Sequence, residues 1–166
     1  MNGGSIRLFI SHKSAVFKIN NKNIKQIIEI ENNIFNNFSK ITNNFKVSIF
    51  KSRDKLVNTI KKINEKKKII HIYGASTKGN VILQYCKITK ESIPFAVERN
   101  KDKFGKFTPG TLIPIISEKE SKKKSPDYYL VMPWHFRKEI LLREQSFLEK
   151  GGKIIFPLPQ IEIISK

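Results

Sequence analysis

The sequence predicts an α/β protein: a Rossmann-like parallel sheet with helices on both faces, preceded by a strand and two linker helices. Three observations lead to this class. From residue 68 onward, short apolar runs alternate with amphipathic stretches at the spacing of βαβ units. The apolar run that ends at Tyr73 leads through a glycine turn into a helix-like segment. Between residues 23 and 64, Ile and Phe recur at helical spacing.

The N-terminal part of the chain contains the elements that precede the sheet. The apolar run Ser5–Ser11 predicts a strand. The spacing of Ile and Phe predicts one amphipathic helix at about residues 23–38 and a second over residues 44–64. Asn43-Asn44 is predicted to form the break between the two helices.

The predicted boundary between this segment, residues 1–67, and the Rossmann-like domain, residues 68–166, follows a change in composition. In chain order we expect a strand at 68–73, a helix at 77–86, strands at 93–98 and 112–116, an exposed helix or loop at 117–125, a strand at 128–132, a helix at 136–148 and a strand at 153–156. Strands that alternate with helices in this way form a parallel sheet through right-handed crossovers.

The net charge is +18, from 32 Lys and Arg against 14 Asp and Glu, which by itself indicates a polyanionic partner. However, 27 of the 32 basic residues are Lys, and Lys, Ile and Asn together make 68 of the 166 residues. These three amino acids share A/T-rich codons, so codon usage accounts for much of the charge. We therefore do not expect nucleic acid to be the partner.

Cysteine and hydropathy exclude several classes of protein. The single Cys86 excludes a disulfide framework and a Cys-based zinc cluster within the sequence, and the three His residues lack metal-ligand spacing. No metal site is expected. No apolar run approaches the ~20 residues that span a bilayer. We expect no membrane association and a cytoplasmic location.

A candidate phosphate-binding loop follows the first strand of the sheet. Gly74, Ser76 and Gly79 match the G-x-G-x-x-G frame, with Ser in the middle place. Gly74 is expected to make the tight turn and Gly79 to let helix and strand pack closely. The free N–H groups of the helix start attract phosphate, and Lys78 with the hydroxyls of Ser76 and Thr77 adds to this attraction.

Two other interpretations of the loop stay open. Ser76 hinders the close approach of a pyrophosphate, which argues against ordinary NAD binding, and Asn80 stands where a Walker A loop has Lys. A helix N-cap that binds no ligand is an equally good interpretation of the same residues.

Further candidates follow the next strands, because ligands of parallel sheets lie beyond the carboxyl ends of the strands. Glu98 follows Gly79 by 19 residues and is expected to accept hydrogen bonds from ribose hydroxyls. Arg99, with Lys101 and Lys103, forms either a phosphate-binding cluster or a solvated face. Trp134 either stacks on a base or sugar or packs in the core. His135 either acts as a donor or general base or caps the helix that follows it.

Several motifs together carry a family resemblance. They are Gly-Ala-Ser-Thr-Lys-Gly-Asn at 74–80, Glu-Arg-Asn-x-x-Lys-x-Gly-Lys-Phe-Thr-Pro-Gly-Thr at 98–111, Pro-Asp-Tyr at 126–128, Trp-x-Phe at 134–136 and Gly-Gly-Lys-x-Ile-x-Pro-x-Pro at 151–159. Their order and spacing resemble the C-terminal domain of S-adenosylmethionine-dependent sugar C-methyltransferases. Residues 2–7 resemble the strand that closes the preceding methyltransferase domain of that family.

The resemblance implies a domain that binds and positions a nucleotide-linked sugar in deoxysugar biosynthesis. The substrate-binding residues it implies are Gly74, Ser76, Thr77, Lys78, Gly79, Asn80, Glu98, Arg99, Pro109, Gly110, Thr111, Trp134 and His135. It implies no catalytic residue and no metal ligand in this chain. The cofactor S-adenosylmethionine is expected on a missing domain or on a separate methyltransferase chain, so this chain alone is expected to be an inactive fragment or split-gene part.

Two positions depart from the family pattern, since Leu112 replaces a His and His135 replaces an Asn. Two other functions stay open beside the one that the resemblance implies. The first is a basic nucleic-acid-binding module, and the second is a stand-alone nucleotide-binding Rossmann-like module such as an NAD-type enzyme.

Overall fold

The computed structural model describes residues 6–166. Contacts divide the chain into two compact units, Met1–Ser48 and Ile49–Lys166. The first unit contains α1 (Asn21–Asn36) and the start of α2 (Phe38–Glu65). The side chain of Asn20 caps α1 by accepting a hydrogen bond from the Asn23 amide at 3.1 Å.

The predicted N-terminal strand is not present in the part of the chain that the structure describes. Residues 6–11 have no regular structure and pair with no described strand, while Ser5 and the residues before it lie outside the described range. A strand needs a neighbouring strand to satisfy its backbone groups, and an apolar run alone does not provide one. The strand prediction for residues 6–11 was therefore wrong.

The break between the two helices lies at Asn37, so the predicted break at Asn43-Asn44 was wrong. The Asn37 side chain donates to the Asn33 carbonyl at 3.0 Å and accompanies the end of α1. Asn43 and Asn44 instead lie within the exposed part of α2, where an Asn costs only a few tenths of a kcal/mol in helix propensity.

The second unit contains a six-stranded sheet. Its strands are β1 (Ile70–Tyr73), β2 (Phe95–Glu98), β3 (Ile115–Ser117), β4 (Tyr128–Val131), β5 (Lys153–Phe156) and β6 (Glu162–Ile164). The strand order is β3-β2-β1-β4-β5-β6. Neighbouring strands from β3 to β5 are parallel, and β6 is antiparallel to β5. The Rossmann-like α/β class is confirmed. The sequence did not indicate β6, because three residues are too few for a recognisable alternation.

Helices cover both faces of the sheet. The remaining helices of the unit are α3 (Thr77–Tyr85), α4 (Glu118–Lys123), α5 (Arg137–Arg143) and α6 (Gln145–Glu149). On one face, Leu56 of α2 and Leu83 of α3 share a buried cluster with Ile72 of β1. On the other face, Ile140 of α5 and Leu148 of α6 share a second cluster with strand residues.

The compact unit begins before the predicted boundary at residue 68. Three apolar side chains of α2, at helical spacing, are buried in the core beneath the sheet: Leu56, Ile60 and Ile63. The C-terminal half of α2 therefore packs as part of the Rossmann-like unit. The predicted domain boundary at residue 68 stays a prediction.

The helix predicted at 136–148 is three shorter pieces, so its continuity was predicted wrongly. A short 3-10 helix, Trp134–Phe136, precedes α5, and Glu144 separates α5 from α6. The Glu144 side chain is buried and accepts a hydrogen bond from the Tyr73 hydroxyl at 2.8 Å. This contact with a residue 71 positions away in the sequence accompanies the break, and no local pattern encodes it.

None of the described helices is both long enough and apolar enough to cross a bilayer.

Candidate functional site

The sheet reverses its strand order between β1 and β4. The chain leaves β1 towards β2 and β3 on one side, and β4 and β5 lie on the other side. In sheets of this kind the crevice outside the carboxyl ends of the two central strands is the usual ligand site. Here the loop Gly74–Asn80 follows β1, and Pro133 with Trp134 follows β4. The topology therefore brings together the two segments that the sequence singled out.

The two glycines of the loop are held against the segment that follows β4. Gly74 has a φ of +88°, and a Cβ atom added to it would lie 2.8 Å from Cδ of Pro133. A Cβ atom on Gly79 would lie 2.6 Å from Cβ of Met132. Side chains at these positions would push the loop away from the end of β4. The turn and the close helix–strand packing predicted for these glycines are thus present.

Ser76 caps α3, which it precedes directly. Its hydroxyl accepts a hydrogen bond from the Gly79 amide at 3.0 Å. Among the described residues, the amides of Thr77 and Lys78 have no acceptor, as is usual in the first turn of a helix. Both side chains are exposed. The loop therefore presents two free N–H donors and one ammonium group at the positive end of a nine-residue helix.

Asn80 carries an unusual polar atom. Its Oδ1 is buried and has no hydrogen-bond partner within residues 6–166. Leaving a buried acceptor without a donor costs about 1–3 kcal/mol, so such atoms usually meet a water or a ligand. The orphaned oxygen lies on the residue that ends the predicted phosphate loop.

Glu98 ends β2, and its carboxylate accepts hydrogen bonds from residues that follow it closely in the sequence. One oxygen accepts from the amides of Arg99 at 2.8 Å and Asn100 at 3.2 Å. The other accepts from the Lys103 ammonium at 3.1 Å. Burial raises the pKa of Glu98, but the two amides and Lys103 outweigh burial and leave the pKa below its usual value. The ionised carboxylate has little acceptor capacity left for a ribose hydroxyl. The Arg99 side chain is exposed.

Lys103 connects the ends of β1 and β2, a role that the sequence did not predict. Its ammonium donates to the Ala75 carbonyl at 3.0 Å as well as to Glu98. From the sequence it was one of three basic residues with two open interpretations. Its position five residues after Glu98, beyond a turn, is the signal that was available.

Trp134 and His135 line a groove of about 450 Å³ outside the ends of β4 and β5. Trp134 is partly buried, and its ring meets the exposed His135 ring edge-on at 5.4 Å between centroids. Phe156, Leu158 and Pro159 supply apolar surface to the same groove. An aromatic and apolar lining with a few polar groups suits a flat ring.

Pro109, Gly110 and Thr111 lie away from this crevice. They form the tip of a hairpin in which the Thr108 amide donates to the Ile113 carbonyl at 3.0 Å. The Pro109 carbonyl accepts from Gln84 Nε2 at 3.0 Å. Gln84 is in the last turn of α3, about 9–10 Å along the helix axis from the free amides of Thr77 and Lys78 in its first turn. A substrate role for the hairpin stays a prediction.

The hairpin also alters one predicted strand. Residues 112–114 belong to the hairpin, with a single bridge between Phe107 and Pro114, and β3 begins at Ile115. The predicted strand over 112–116 was therefore wrong in its first half. Within the described residues, no group of three His, Cys, Asp or Glu side chains could hold a metal ion.

These features define the class of the chain: a doubly wound Rossmann-like domain with a capped glycine loop at the point where the strand order reverses. The chain belongs to the C-methyltransferase C-terminal domain family, whose sequence model matches residues 1–159. It is similar to the C-methyltransferase NovU of Streptomyces niveus, with 41% identity over 93 residues. That alignment covers 56% of this chain and 22% of NovU, so the chain spans well under half of that relative's length.

Proposed function

We propose that this chain is the nucleotide-sugar-binding domain of an S-adenosylmethionine-dependent C-methyltransferase. Membership of the C-methyltransferase C-terminal domain family and the similarity to NovU support the methyltransferase part of the proposal. The observation that carries the binding part is the juxtaposition at the carboxyl edge. There a loop with free amide donors and Lys78 adjoins, through the contact of Gly74 with Pro133, a groove lined by Trp134.

The diphosphate of the ligand is assigned to the loop. The free amides of Thr77 and Lys78, the positive end of α3 and the Lys78 ammonium all favour a dianionic group. Ser76 takes part indirectly, because its hydroxyl already caps the helix and holds the Gly79 amide. This arrangement needs no glycine in the middle position of the motif.

The nucleoside or the sugar is assigned to the groove. Trp134 offers a ring face for stacking, and the exposed His135 offers an imidazole nitrogen to a hydroxyl or carbonyl. The buried Oδ1 of Asn80 requires a donor, and a sugar hydroxyl or a pyrimidine N–H has the right chemistry.

We propose that S-adenosylmethionine is bound by another domain, on this or a separate polypeptide. The carboxylate that would hold the ribose hydroxyls of that cofactor is Glu98, and both of its oxygens already accept internal hydrogen bonds. With about one acceptor site left, Glu98 does not suit the paired ribose hydroxyls of that cofactor. In this proposal the chain binds and orients the sugar nucleotide and carries no catalytic residue.

Isothermal titration with thymidine-diphosphoglucose tests the proposal. We expect saturable binding by the wild type, about 10-fold weaker binding by Lys78→Met and no change in Lys150→Met. Lys150→Met is the matched control because this substitution removes the same charge at the opposite edge of the sheet, before β5. Absence of binding at millimolar ligand, or equal losses in both variants, would contradict the proposal.

A further inference from the structure

The segment after β2 folds back, so that one of its lysines, Lys103, lies beside the end of that strand. The Glu98 carboxylate accepts hydrogen bonds from the amides of Arg99 and Asn100. These two bonds accompany a turn of the chain away from the strand direction. The Asn100 side chain then accepts from the Asp102 amide at 3.0 Å and caps one turn of 3-10 helix, Lys101–Lys103. This turn brings Lys103 back beside Glu98.

The Lys103 ammonium bridges two segments that are distant in sequence. It lies 3.1 Å from Glu98 Oε2, at the end of β2, and 3.0 Å from the Ala75 carbonyl in the phosphate loop. The Glu98 side chain is 16% exposed and the Lys103 side chain 41% exposed. Partial burial on the carboxylate side strengthens this contact relative to an open surface pair.

The Ala75 carbonyl controls the orientation of the loop, because it shares a rigid peptide plane with the Ser76 amide. That amide donates to the Gly74 carbonyl at 3.0 Å, and the Ser76 hydroxyl caps α3. The Lys103 ammonium on the Ala75 carbonyl therefore restrains the peptide between Ala75 and Ser76. The helix cap, Ser76, and the free amides of Thr77 and Lys78 come directly after this peptide.

We propose that Lys103 is a positioning residue that locks the loop Gly74–Asn80 in its ligand-binding conformation, and that Glu98 serves to hold Lys103 in place. In this arrangement Glu98 does not bind ribose hydroxyls, and the turn after β2 acts as a clamp on the loop. We call the Glu98–Lys103–Ala75 contact the clamp. The inference rests on the proposed function insofar as the loop binds a diphosphate.

Two anionic probes separate a positioning role of Glu98 from direct contact with a ribose. Inorganic pyrophosphate contacts the loop alone, whereas thymidine diphosphate adds a nucleoside. We expect Lys103→Met and Glu98→Gln each to weaken both probes by about 10-fold, because each variant releases the loop. The double variant should be no weaker than either single one, and Lys103→Arg should recover most of the affinity. Loss of thymidine diphosphate binding alone in Glu98→Gln would overturn the assignment.

Hydrogen exchange of the unliganded protein tests the clamp without any ligand. We expect the amides of Gly79 and Asn80 to exchange at least about 10-fold faster in Lys103→Met than in the wild type, with β1 and β4 unchanged. Lys101→Met, an exposed lysine in the same turn, is the matched control and should leave the loop protected. Unchanged loop exchange in Lys103→Met would refute the clamp.

The two experiments also fail in different ways. If the wild type binds neither probe while the exchange result is as expected, the proposed diphosphate site is wrong and the clamp is a structural contact only, which overturns the positioning role. If Lys103→Met binds both probes as tightly as the wild type while Lys78→Met binds them more weakly, the loop is the site and the clamp proposal alone is wrong.

Discussion

Gly79 in α3 lies directly against Met132 at the end of β4, so that a Cβ atom on Gly79 would be 2.6 Å from Met132 Cβ. This contact sets how closely the helix that follows the phosphate loop approaches the strand at which the sheet order reverses. Since Met132 Cβ is next to the backbone, it cannot move aside as the end of a flexible side chain could.

Gly79→Ala is therefore expected to destabilise the protein by about 1–3 kcal/mol, despite the better helix propensity of Ala. The measurement is the midpoint of urea unfolding. Val81→Ala, an exposed position two residues further along α3, serves as control and should change stability by no more than about 0.5 kcal/mol. A Gly79→Ala variant as stable as the wild type would disprove the close contact.

Asn80→Ala should separate stability from binding. In the unliganded protein the substitution removes a buried acceptor without a partner and introduces the best helix former, so we expect unchanged or higher stability. Affinity for thymidine diphosphate should fall by about 5- to 10-fold, because the donor of the ligand loses its acceptor. Thermal unfolding with and without ligand measures both effects. Lower stability with unchanged affinity would show that Asn80 has a structural role.

The buried His71 predicts a pH dependence of stability. Its Nδ1 lies 2.8 Å from the Ser121 hydroxyl, which lies 3.0 Å from the Tyr129 hydroxyl. Burial, with a smaller contribution from the charge of Lys124, lowers the pKa of His71 from 6.5 to about 4. The native state thus binds fewer protons than the unfolded state between these values. Stability is complete above about pH 6.5 and decreases as the pH falls towards 4.

From this difference we expect about 2 kcal/mol less stability at pH 5 than at pH 7 from this residue alone. Urea unfolding of the wild type and of His71→Gln at both pH values isolates the contribution, since Gln keeps a polar group near Ser121 but does not titrate. An equal decrease in both proteins would mean that His71 is not the group responsible.

The hairpin with Pro109 at its tip is expected to matter for stability and not for ligand affinity. The Thr108 hydroxyl accepts from the Ile113 amide at 2.9 Å and lies 2.7 Å from the Thr111 hydroxyl. Thr108→Val should cost about 1–3 kcal/mol, because the buried Ile113 amide loses its side-chain acceptor. Titration with thymidine diphosphate, at a temperature where the variant is folded, should give the wild-type affinity.

Leu112→Asn is the matched control in the same hairpin. Leu112 is exposed with a φ of +52°, a conformation that Asn tolerates better than Leu, so stability should stay the same or rise slightly. Weaker ligand binding by a folded Thr108→Val variant would show that the hairpin is part of the ligand site.

The sequence was most informative where the determinants are local. The loop from Gly74 to Asn80 was recognisable because a β-rich run, two glycines and a helix follow one another within a few residues, and the structure has that order. The segment that follows β4, with Trp134, was placed beside this loop by the general rule for parallel sheets. Most strand positions followed from short apolar runs between breaks.

The rest depends on contacts between distant residues. Glu144 separates α5 from α6 and bonds to Tyr73, and Lys103 reaches back to Ala75; neither partner can be identified from spacing alone. Gln84 holds Pro109 at the far end of α3, whereas the motif resemblance had grouped Pro109 with the phosphate loop. Residues 6–11 are apolar enough for a strand and pair with none in the described part of the chain.

The location of the ligand is tested most directly by recording amide and indole chemical shifts during a titration with thymidine diphosphate. The account predicts saturable shifts for residues 74–80 and for the Trp134 indole, with little change at residues 108–113. Shifts centred on residues 108–113, or no shifts at millimolar ligand, would contradict a diphosphate site at the carboxyl edge of the sheet.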